Sequence, residues 1–177
     1  MIVTAYPFAL ILLAILLNTL VLGISSIVVS SPASESVRAL ILAVALLVIN
    51  HTWIMNSTEL TRTRHGLHSN PEEWAASGDD PEKASAEGLD EVEMRHNAHR
   101  NTTENTVYFV LLSLIFVVVS PPELAVQVWT IGYAAARLGY TYSYLNRKVA
   151  LRGVFMSLSL LAMYGMASYL FIGLFLG

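Results

Sequence analysis

The residue that most directly suggests chemistry in this sequence is an arginine inside an apolar segment. Arg137 is the only charge between Leu124 and Asn146. Charges inside membrane-spanning segments are costly and normally face a partner or a water-filled cavity. At helical spacing Arg137 shares one polar stripe with Tyr140, Thr141 and Tyr144. A guanidinium beside these hydroxyls suits an anionic ligand. The alternative, compatible with the first, is an ion pair with a neighbouring helix that serves assembly alone.

A second polar stripe precedes the third apolar block. Asn97, Asn101 and Glu104 are spaced at i, i+4 and i+7, and Glu104 lies where the apolar run begins. A carboxylate in that position needs a partner. Arg100 lies four residues earlier, and Arg137 is the natural partner from the next helix. We therefore expect Glu104 to be paired.

The remaining polar residues in or near apolar blocks have two interpretations each. His99 falls on a different face of its helix, and a single interfacial histidine is more often a structural hydrogen-bonding group than a base. Arg152 precedes the last block, where an arginine at a helix N-terminus would stabilise an anion or simply fix topology. Asn50, His51 and Trp53 interrupt the second block, and a helix–helix contact is favoured there over a conduction path.

Membrane-spanning helices must position these residues. The chain has 177 residues, of which 13% are charged, against about 25% in a soluble domain. A span needs about 20 apolar residues, and the chain contains five such blocks: Ala5–Ser30, Ala39–Thr58, Thr106–Val119, Leu124–Asn146 and Val154–Gly177. A signal peptide is the weaker interpretation of the first block, because no Lys or Arg precedes Arg38.

Composition also excludes several classes of site and partner. The chain has no cysteine, which excludes disulfides, cysteine-ligated metals and a protein thiol nucleophile. We predict no metal site. No basic stripe with interleaved aromatic residues occurs, so nucleic acid is not expected as a partner.

The distribution of basic residues predicts the orientation. With five spans, one side holds Arg62, Arg64, Lys83, Arg95, Arg100, Arg147, Lys148 and Arg152, and the other holds Arg38. Cytoplasmic loops carry the excess of Lys and Arg. We therefore place the N-terminus and the loop of about residues 61–103 in the cytoplasm. No Gly or Pro separates Leu89 from Pro121, which predicts one helix of about 45 Å. The other connections are short and predict an up-and-down bundle.

Several segments together resemble a known family. NAHRNTTEN, from Asn97 to Asn105, resembles the RAHxNxxEN signature of the MAPEG superfamily, the membrane-associated proteins of eicosanoid and glutathione metabolism. ARLGYTYSYL, from Ala136 to Leu145, is similar to its R-x-x-[HY]-T-x-x-Y segment, and NRKVALRG to the turn before its last helix. RTRHGLHSNPEEW, from Arg62 to Trp74, is a weaker match to the first loop. The matches cover residues 39–177 in the family's order.

The resemblance implies an all-α four-helix membrane bundle over residues 37–177 that forms a homotrimer, with residues 1–36 as an additional N-terminal transmembrane helix. It implies glutathione as the cofactor, bound between subunits near the cytoplasmic face. Arg152 would stabilise the glutathione thiolate. The implied cofactor-binding residues are Arg62, Glu73, His99, Arg100, Asn101, Glu104, Arg137, Tyr140, Thr141 and Tyr144.

The sequence departs from the family pattern in a few places. Asn97 replaces the arginine before Ala-His, which puts one carboxylate contact in doubt unless Arg95 or Arg100 replaces it. Gly153 stands where prostaglandin E synthase has a serine, which argues against that isomerase. The block Ala5–Ser30 has no counterpart in the family fold.

These observations predict a multi-pass membrane transferase or peroxidase for detoxification, with its active site on the cytoplasmic face. It would conjugate the glutathione thiolate to lipophilic electrophiles from the membrane lipid or reduce lipid hydroperoxides. The alternative within the same fold is a non-catalytic lipid-binding or scaffold protein, which the Asn97 departure favours. An unrelated channel or carrier is weaker, since the His51 region would have to conduct.

Overall fold

The computed structural model describes residues 2–176, with side chains from residue 4 onward. Within this part of the chain all regular structure is helical, as predicted. The helices are α1 (Ile2–Leu17), α2 (Ser34–His65), α3 (Pro71–Ser77), α4 (Ala86–Val118), α5 (Glu123–Leu145) and α6 (Val149–Gly173). A π-helical turn, Asn18–Leu22, continues α1, and a 3₁₀ turn, Pro81–Lys83, precedes α4.

Helices α2, α4, α5 and α6 form the predicted up-and-down bundle. Phe109 of α4 stacks on Tyr133 of α5, with ring centroids 4.1 Å apart. Near the opposite end of α5, Arg152 of α6 lies over the ring of Tyr144. Together with the short turns at both ends of α5, these contacts place α5 antiparallel to α4 and α6. Helix α5 packs against α2, α4 and α6 and is thereby the most enclosed of the long helices.

Four helices, Thr4–Leu22, Ser34–His65, Ala86–Val118 and Val149–Gly173, are long and apolar enough to cross a membrane. The remaining predicted span, over Leu124–Asn146, is α5, which has 23 residues, about 35 Å at the helical rise. Its composition is too polar to qualify by hydropathy, since it contains Thr130, Arg137, Thr141 and Ser143. All four of these polar residues are buried. The other helices shield these polar residues from lipid, which is why α5 differs from its neighbours.

The N-terminal helix ends earlier than the uncharged block predicts. We expected a span up to Ser30, but the helical chain stops at Leu22 and Gly23 adopts a φ of +80°. The chain then crosses one end of the bundle in an extended form. Its backbone there donates hydrogen bonds from Ile27 to the Gly173 carbonyl and from Ser30 to the Val118 carbonyl. The ends of α6 and α4 thus supply hydrogen-bond acceptors for the backbone of this apolar, non-helical segment.

Helix α1 lies parallel to α6 and is fastened to it by a buried asparagine. Asn18 is fully buried and its Nδ2 donates to the Gly165 carbonyl (2.7 Å) and to Ser168 Oγ (3.0 Å). Its Oδ1 accepts from Trp129 Nε1 at 2.9 Å. At the other end of α1, the Tyr6 hydroxyl donates to Ser157 Oγ at 2.6 Å. Both N–H donors of the Asn18 amide and its oxygen are hydrogen-bonded, so α1 is built into the bundle.

Helix α4 confirms the predicted long helix and begins at Ala86, where Ser85 Oγ caps it by accepting from the Gly88 amide. Its 33 residues extend about 50 Å. Gly88 allows close packing of α2, because a Cβ there would lie 2.6 Å from His65 Cβ. The loop before it contains α3, a helix that the composition did not lead us to expect.

The loop between α2 and α4 has its own contacts. Trp74 packs edge-on against His68, and His68 Nε2 lies 3.0 Å from Asp79 Oδ2. The hydrogen bond from His68 holds the pKa of the Asp79 carboxyl below its usual value. The carboxylate therefore stays ionised, and its contact with His68 holds one end of the loop near the other.

Replacing Asn18 with alanine should destabilise the protein by about 1–3 kcal/mol, because buried Trp129 Nε1 loses its acceptor. Thermal unfolding in detergent micelles would measure the change. Thr19→Ala is the matched control, since Thr19 is exposed and its hydroxyl donates to carbonyls of its own helix. Equal losses in the two variants would contradict a specific role for Asn18.

Candidate functional site

The candidate site is organised around Arg137, which α5 places in the interior of the bundle. The side chain is 0% exposed. Its Nη2 donates to Thr102 Oγ1 (2.7 Å) and to Asn101 Oδ1 (3.0 Å) on α4, and its Nη1 lies 3.7 Å from Met156 Sδ on α6. Arg137 therefore links three helices through neutral acceptors.

The expected pairing of Arg137 with Glu104 is not found. Glu104 is exposed on α4 and forms no ion pair with any residue that the structure describes. The reason is angular: the buried Thr102 faces α5, whereas Glu104, two residues further along α4, lies about 200° around the helix from it. The buried guanidinium, which stays charged in proteins, thus has no carboxylate among its described neighbours. Its Nε also lacks a hydrogen-bond partner there.

A row of cations and aromatic rings runs from Arg137 toward the start of α6. The Arg137 guanidinium carbon lies 4.3 Å from the centroid of the Tyr140 ring. Tyr140 and Tyr144 have centroids 5.5 Å apart, and the Arg152 guanidinium carbon lies 4.7 Å from the Tyr144 centroid. Cation–π contacts stabilise such an arrangement. The row brings together residues that the sequence assigned to two separate motifs.

Access to this row differs between its two ends. Tyr140 is buried with Arg137, whereas Tyr144 and Arg152 are half-buried. A ligand therefore reaches Arg152, Tyr144 and the half-buried Asn101 more easily than the enclosed guanidinium of Arg137.

Thr141 was predicted to share the stripe with Arg137. It is buried, but its hydroxyl forms no hydrogen bond to a described residue. No hydrogen bond therefore joins Thr141 to the other members of its stripe among the described residues.

The α2 and α4 residues of the predicted site form a second, more exposed group. Arg62 pairs with Glu59, and its Nη2 lies 3.0 Å from His96 Nε2. His99 Nε2 lies 3.3 Å from His51 Nδ1, with ring centroids 5.2 Å apart. Arg62 and His99 thus each contact a histidine of the facing helix, between α2 and α4.

Other predicted residues have local roles or none visible in a single chain. The Glu73 carboxylate accepts from the Ser69 amide (2.7 Å) and from Asn70 Nδ2 (3.0 Å), so it caps α3. Of the two replacements considered at Asn97, Arg95 pairs with Glu91 at 3.3 Å, whereas Arg100 is exposed. Arg100 is therefore the better candidate to supply the missing positive charge.

Sequence reasoning missed several residues that complete the site. Thr102 and Met156 contact Arg137 directly, yet nothing in their types distinguishes them from core residues. Asn50 was assigned to a helix contact; it is 0% exposed, and neither its Oδ1 nor its Nδ2 has a partner among the described residues. The position of Thr102 beside Asn101 was the one available signal.

The arrangement as a whole can attract and hold an anion. Two guanidiniums, at Arg137 and Arg152, bracket two tyrosines, and the end of the row at Arg137 and Tyr140 is buried. Positive charge without a carboxylate acts strongly at short range in such a medium. The hydroxyls of Tyr140 and Tyr144 add hydrogen-bonding capacity.

Replacing Arg137 with methionine should leave the stability of the ligand-free protein within about 1 kcal/mol or raise it, because an uncompensated buried charge is removed. Thermal unfolding in detergent without added thiol measures this. The exposed Arg38, changed to methionine in the same way, is the control. A loss above about 3 kcal/mol for Arg137→Met alone would instead assign the guanidinium a structural role.

Comparison with known proteins agrees with the motifs and the bundle. Comparison with curated proteins gave no match. A model of the MAPEG family matches residues 39–172, which include α4, α5 and nearly all of α2 and α6 but not α1. The chain belongs to the MAPEG family.

Proposed function

We propose that the protein is a glutathione-dependent membrane transferase or peroxidase. The family includes glutathione-dependent enzymes and generally uses glutathione as a co-substrate. The proposal rests chiefly on one observation: a fully buried guanidinium without a carboxylate partner among the described residues, connected by two aromatic rings to a second guanidinium. A peptide with two carboxylates and an ionisable thiol complements that charge.

The roles of the residues follow from their access. Arg152, Tyr144 and Asn101 would touch the peptide, together with the exposed Arg100 and Glu104 and the half-buried Arg62 and His99. Arg137 is a positioning residue that orients Asn101 and favours anions, and Tyr140 holds its guanidinium. Arg152 lies in the first turn of α6, where its charge adds to the positive helix end and favours the thiolate over the thiol.

The chemistry uses the sulfur as a nucleophile. In conjugation, the thiolate forms a carbon–sulfur bond with a lipophilic electrophile, and the displaced group or opened oxygen takes up the electron pair and a proton. In peroxide reduction, two glutathione molecules become the disulfide while the hydroperoxide becomes an alcohol and water. The protein stabilises the thiolate, which is the reactive form of a thiol.

Assembly as a homotrimer is part of the proposal. Arg100 and Glu104 are exposed on α4 and are not paired with each other in one chain. Charges facing lipid are expensive, so a second copy is expected to cover them. The uneven distribution of Lys and Arg supports a cytoplasmic position for this face.

The test is ultraviolet difference absorbance at the thiolate band while glutathione is titrated into the purified protein at neutral pH. A saturable thiolate signal is expected, and Arg152→Leu should remove at least nine-tenths of it. Each pKa unit of a bound thiol corresponds to about 1.4 kcal/mol of interaction that favours the thiolate over the thiol. Arg147→Gln is the control, because Arg147 lies in the connection just before α6 and is exposed. Unchanged signal in Arg152→Leu would overturn the role of Arg152.

Absence of any thiolate signal from a folded, assembled protein would favour the non-catalytic lipid-binding alternative. In that case calorimetry with glutathione would distinguish a site that binds glutathione without forming its thiolate from a protein that has no thiol site. Arg137→Met should weaken glutathione binding at least tenfold while the protein remains folded, which distinguishes its role from that of a packing residue.

A further inference from the structure

Met156 lies on α6 one helical turn beyond Arg152, and its sulfur contacts the buried guanidinium of Arg137. The distance from Arg137 Nη1 to Met156 Sδ is 3.7 Å. Residues four apart on a helix share one face, so Met156 and the half-buried Arg152 lie on the same face of α6. The sulfur is thereby one turn away from the end of the row that a ligand can reach.

Met156 marks the boundary between the accessible and the enclosed part of this face of α6. It is half-buried, whereas Ser159 and Met163, further along the same face, are buried. Met166 is buried as well, and both Met163 and Met166 belong to the apolar core. A small molecule that reaches Arg152 is therefore close to the sulfur of Met156, while the sulfurs of the two core methionines are enclosed.

The sulfur is a weak acceptor for a strong donor. A thioether accepts hydrogen bonds poorly, and the guanidinium stays charged. Arg137 forms no ion pair with a carboxylate of any residue that the structure describes. Its Nη1 therefore gains less from Met156 than it would gain from an oxygen in the same place.

Oxidation to the sulfoxide would supply such an oxygen. A sulfoxide oxygen carries partial negative charge, and hydrogen bonds from a charged donor to such an oxygen are short and strong. An S–O bond of about 1.5 Å and a hydrogen bond of about 2.8 Å span the observed 3.7 Å with an angle of about 115° at the oxygen. The separation of Arg137 and Met156 thus fits the oxidised side chain without a movement of either helix.

A hydroperoxide is the class of oxidant that makes a sulfoxide without a further co-reactant. The Sδ lone pair attacks the terminal oxygen, so the S–O bond forms while the O–O bond breaks. The proton of the terminal oxygen passes to the departing oxygen. The hydroperoxide is reduced to an alcohol as the thioether is oxidised to the sulfoxide. Negative charge develops on the oxygens during this step, and a donor fixed beside the sulfur stabilises it.

We propose that Met156 is a site of oxidation by hydroperoxides, at which Arg137 directs the oxygen and then holds the sulfoxide. No glutathione takes part in this step, so the modification goes beyond the proposed function. Dedicated reductases restore methionine from its sulfoxide, which makes the modification reversible. In the oxidised protein Arg137 is held by a strong acceptor on α6 as well as by Asn101 and Thr102 on α4.

The test exposes the purified protein in detergent micelles to cumene hydroperoxide, without glutathione, and follows each methionine by peptide mass spectrometry. The internal controls are the half-buried Met94 on α4 and the exposed Met55 on α2. We expect Met156 to be oxidised roughly fivefold or more faster than Met94, because Arg137 stabilises the developing charge. It should react no more slowly than the exposed Met55, while Met163 and Met166 stay reduced.

Arg137→Leu removes the donor without adding a methionine. It should slow the oxidation of Met156 roughly fivefold or more and leave the rates of Met55 and Met94 unchanged. Arg38→Leu, at an exposed arginine of α2, is the matched control and should change none of these rates.

The stereochemistry of the sulfoxide is a second measurement, which needs the wild-type protein alone. Methionine sulfoxide is chiral, and a different reductase acts on each epimer. Because Arg137 lies on one side of the sulfur, Met156 should yield mainly one epimer. One of the two reductases, applied to the digested protein, should then remove most of the Met156 sulfoxide. Met55 should yield both epimers in similar amounts.

Oxidation of Met156 at the rate of Met94 or below, with both epimers formed equally, would overturn the proposal. An unchanged rate in a folded Arg137→Leu variant would overturn it as well, since Arg137 would then not direct the reaction. Because the assay contains no glutathione, selective oxidation of Met156 together with a missing thiolate signal would reject the proposed glutathione chemistry alone.

Discussion

A single buried positive charge sets the arrangement of the bundle around it. Arg137 is enclosed by three helices, and its described acceptors are an amide oxygen, a hydroxyl and a thioether. Placing a charge in an apolar interior without a counter-ion costs several kcal/mol. Helix α5 is therefore kept from lipid by α2, α4 and α6, and its polar residues lie inward. The enclosed position of α5 follows from the charge that it carries.

That constraint also relates stability to binding. A guanidinium held by neutral acceptors is more weakly compensated than one in an ion pair, and an anionic ligand would supply the missing negative charge. The rings of Tyr140 and Tyr144 lie between Arg137 and the half-buried Arg152. Arg152, which a ligand can reach, and Arg137, the buried charge without a counter-ion, thus lie at opposite ends of one row of side chains.

Much of this architecture follows from residue patterns. The apolar blocks and the gap without Gly or Pro before Pro121 predict the long helices, and Arg137 with Tyr140 and Tyr144 predicts one functional stripe. The pairing of Glu104 with Arg137 was wrong, because opposite charges in sequence-adjacent helices need not face each other. The partners Thr102 and Met156 depend on the rotation of α4 and α6 about their axes, which short patterns do not determine. The sequence Asn70-Pro71-Glu72-Glu73 does contain a signal for helix α3: an N-cap, a first-turn proline and a capping glutamate. The polar composition of the loop obscured this signal.

The parallel packing of α1 on α6 has a consequence for biosynthesis. Asn18 and its partners on α6 are separated by about 150 residues, and Trp129 is 111 residues away. During synthesis from the N-terminus, the Asn18 side chain is made long before any of these partners exists. It has to remain hydrated near the interface, or bound to an insertion factor, until the last helix arrives. Docking of α1 is then a late step of assembly, and a truncated or stalled chain would retain an unsatisfied amide that quality-control machinery can recognise.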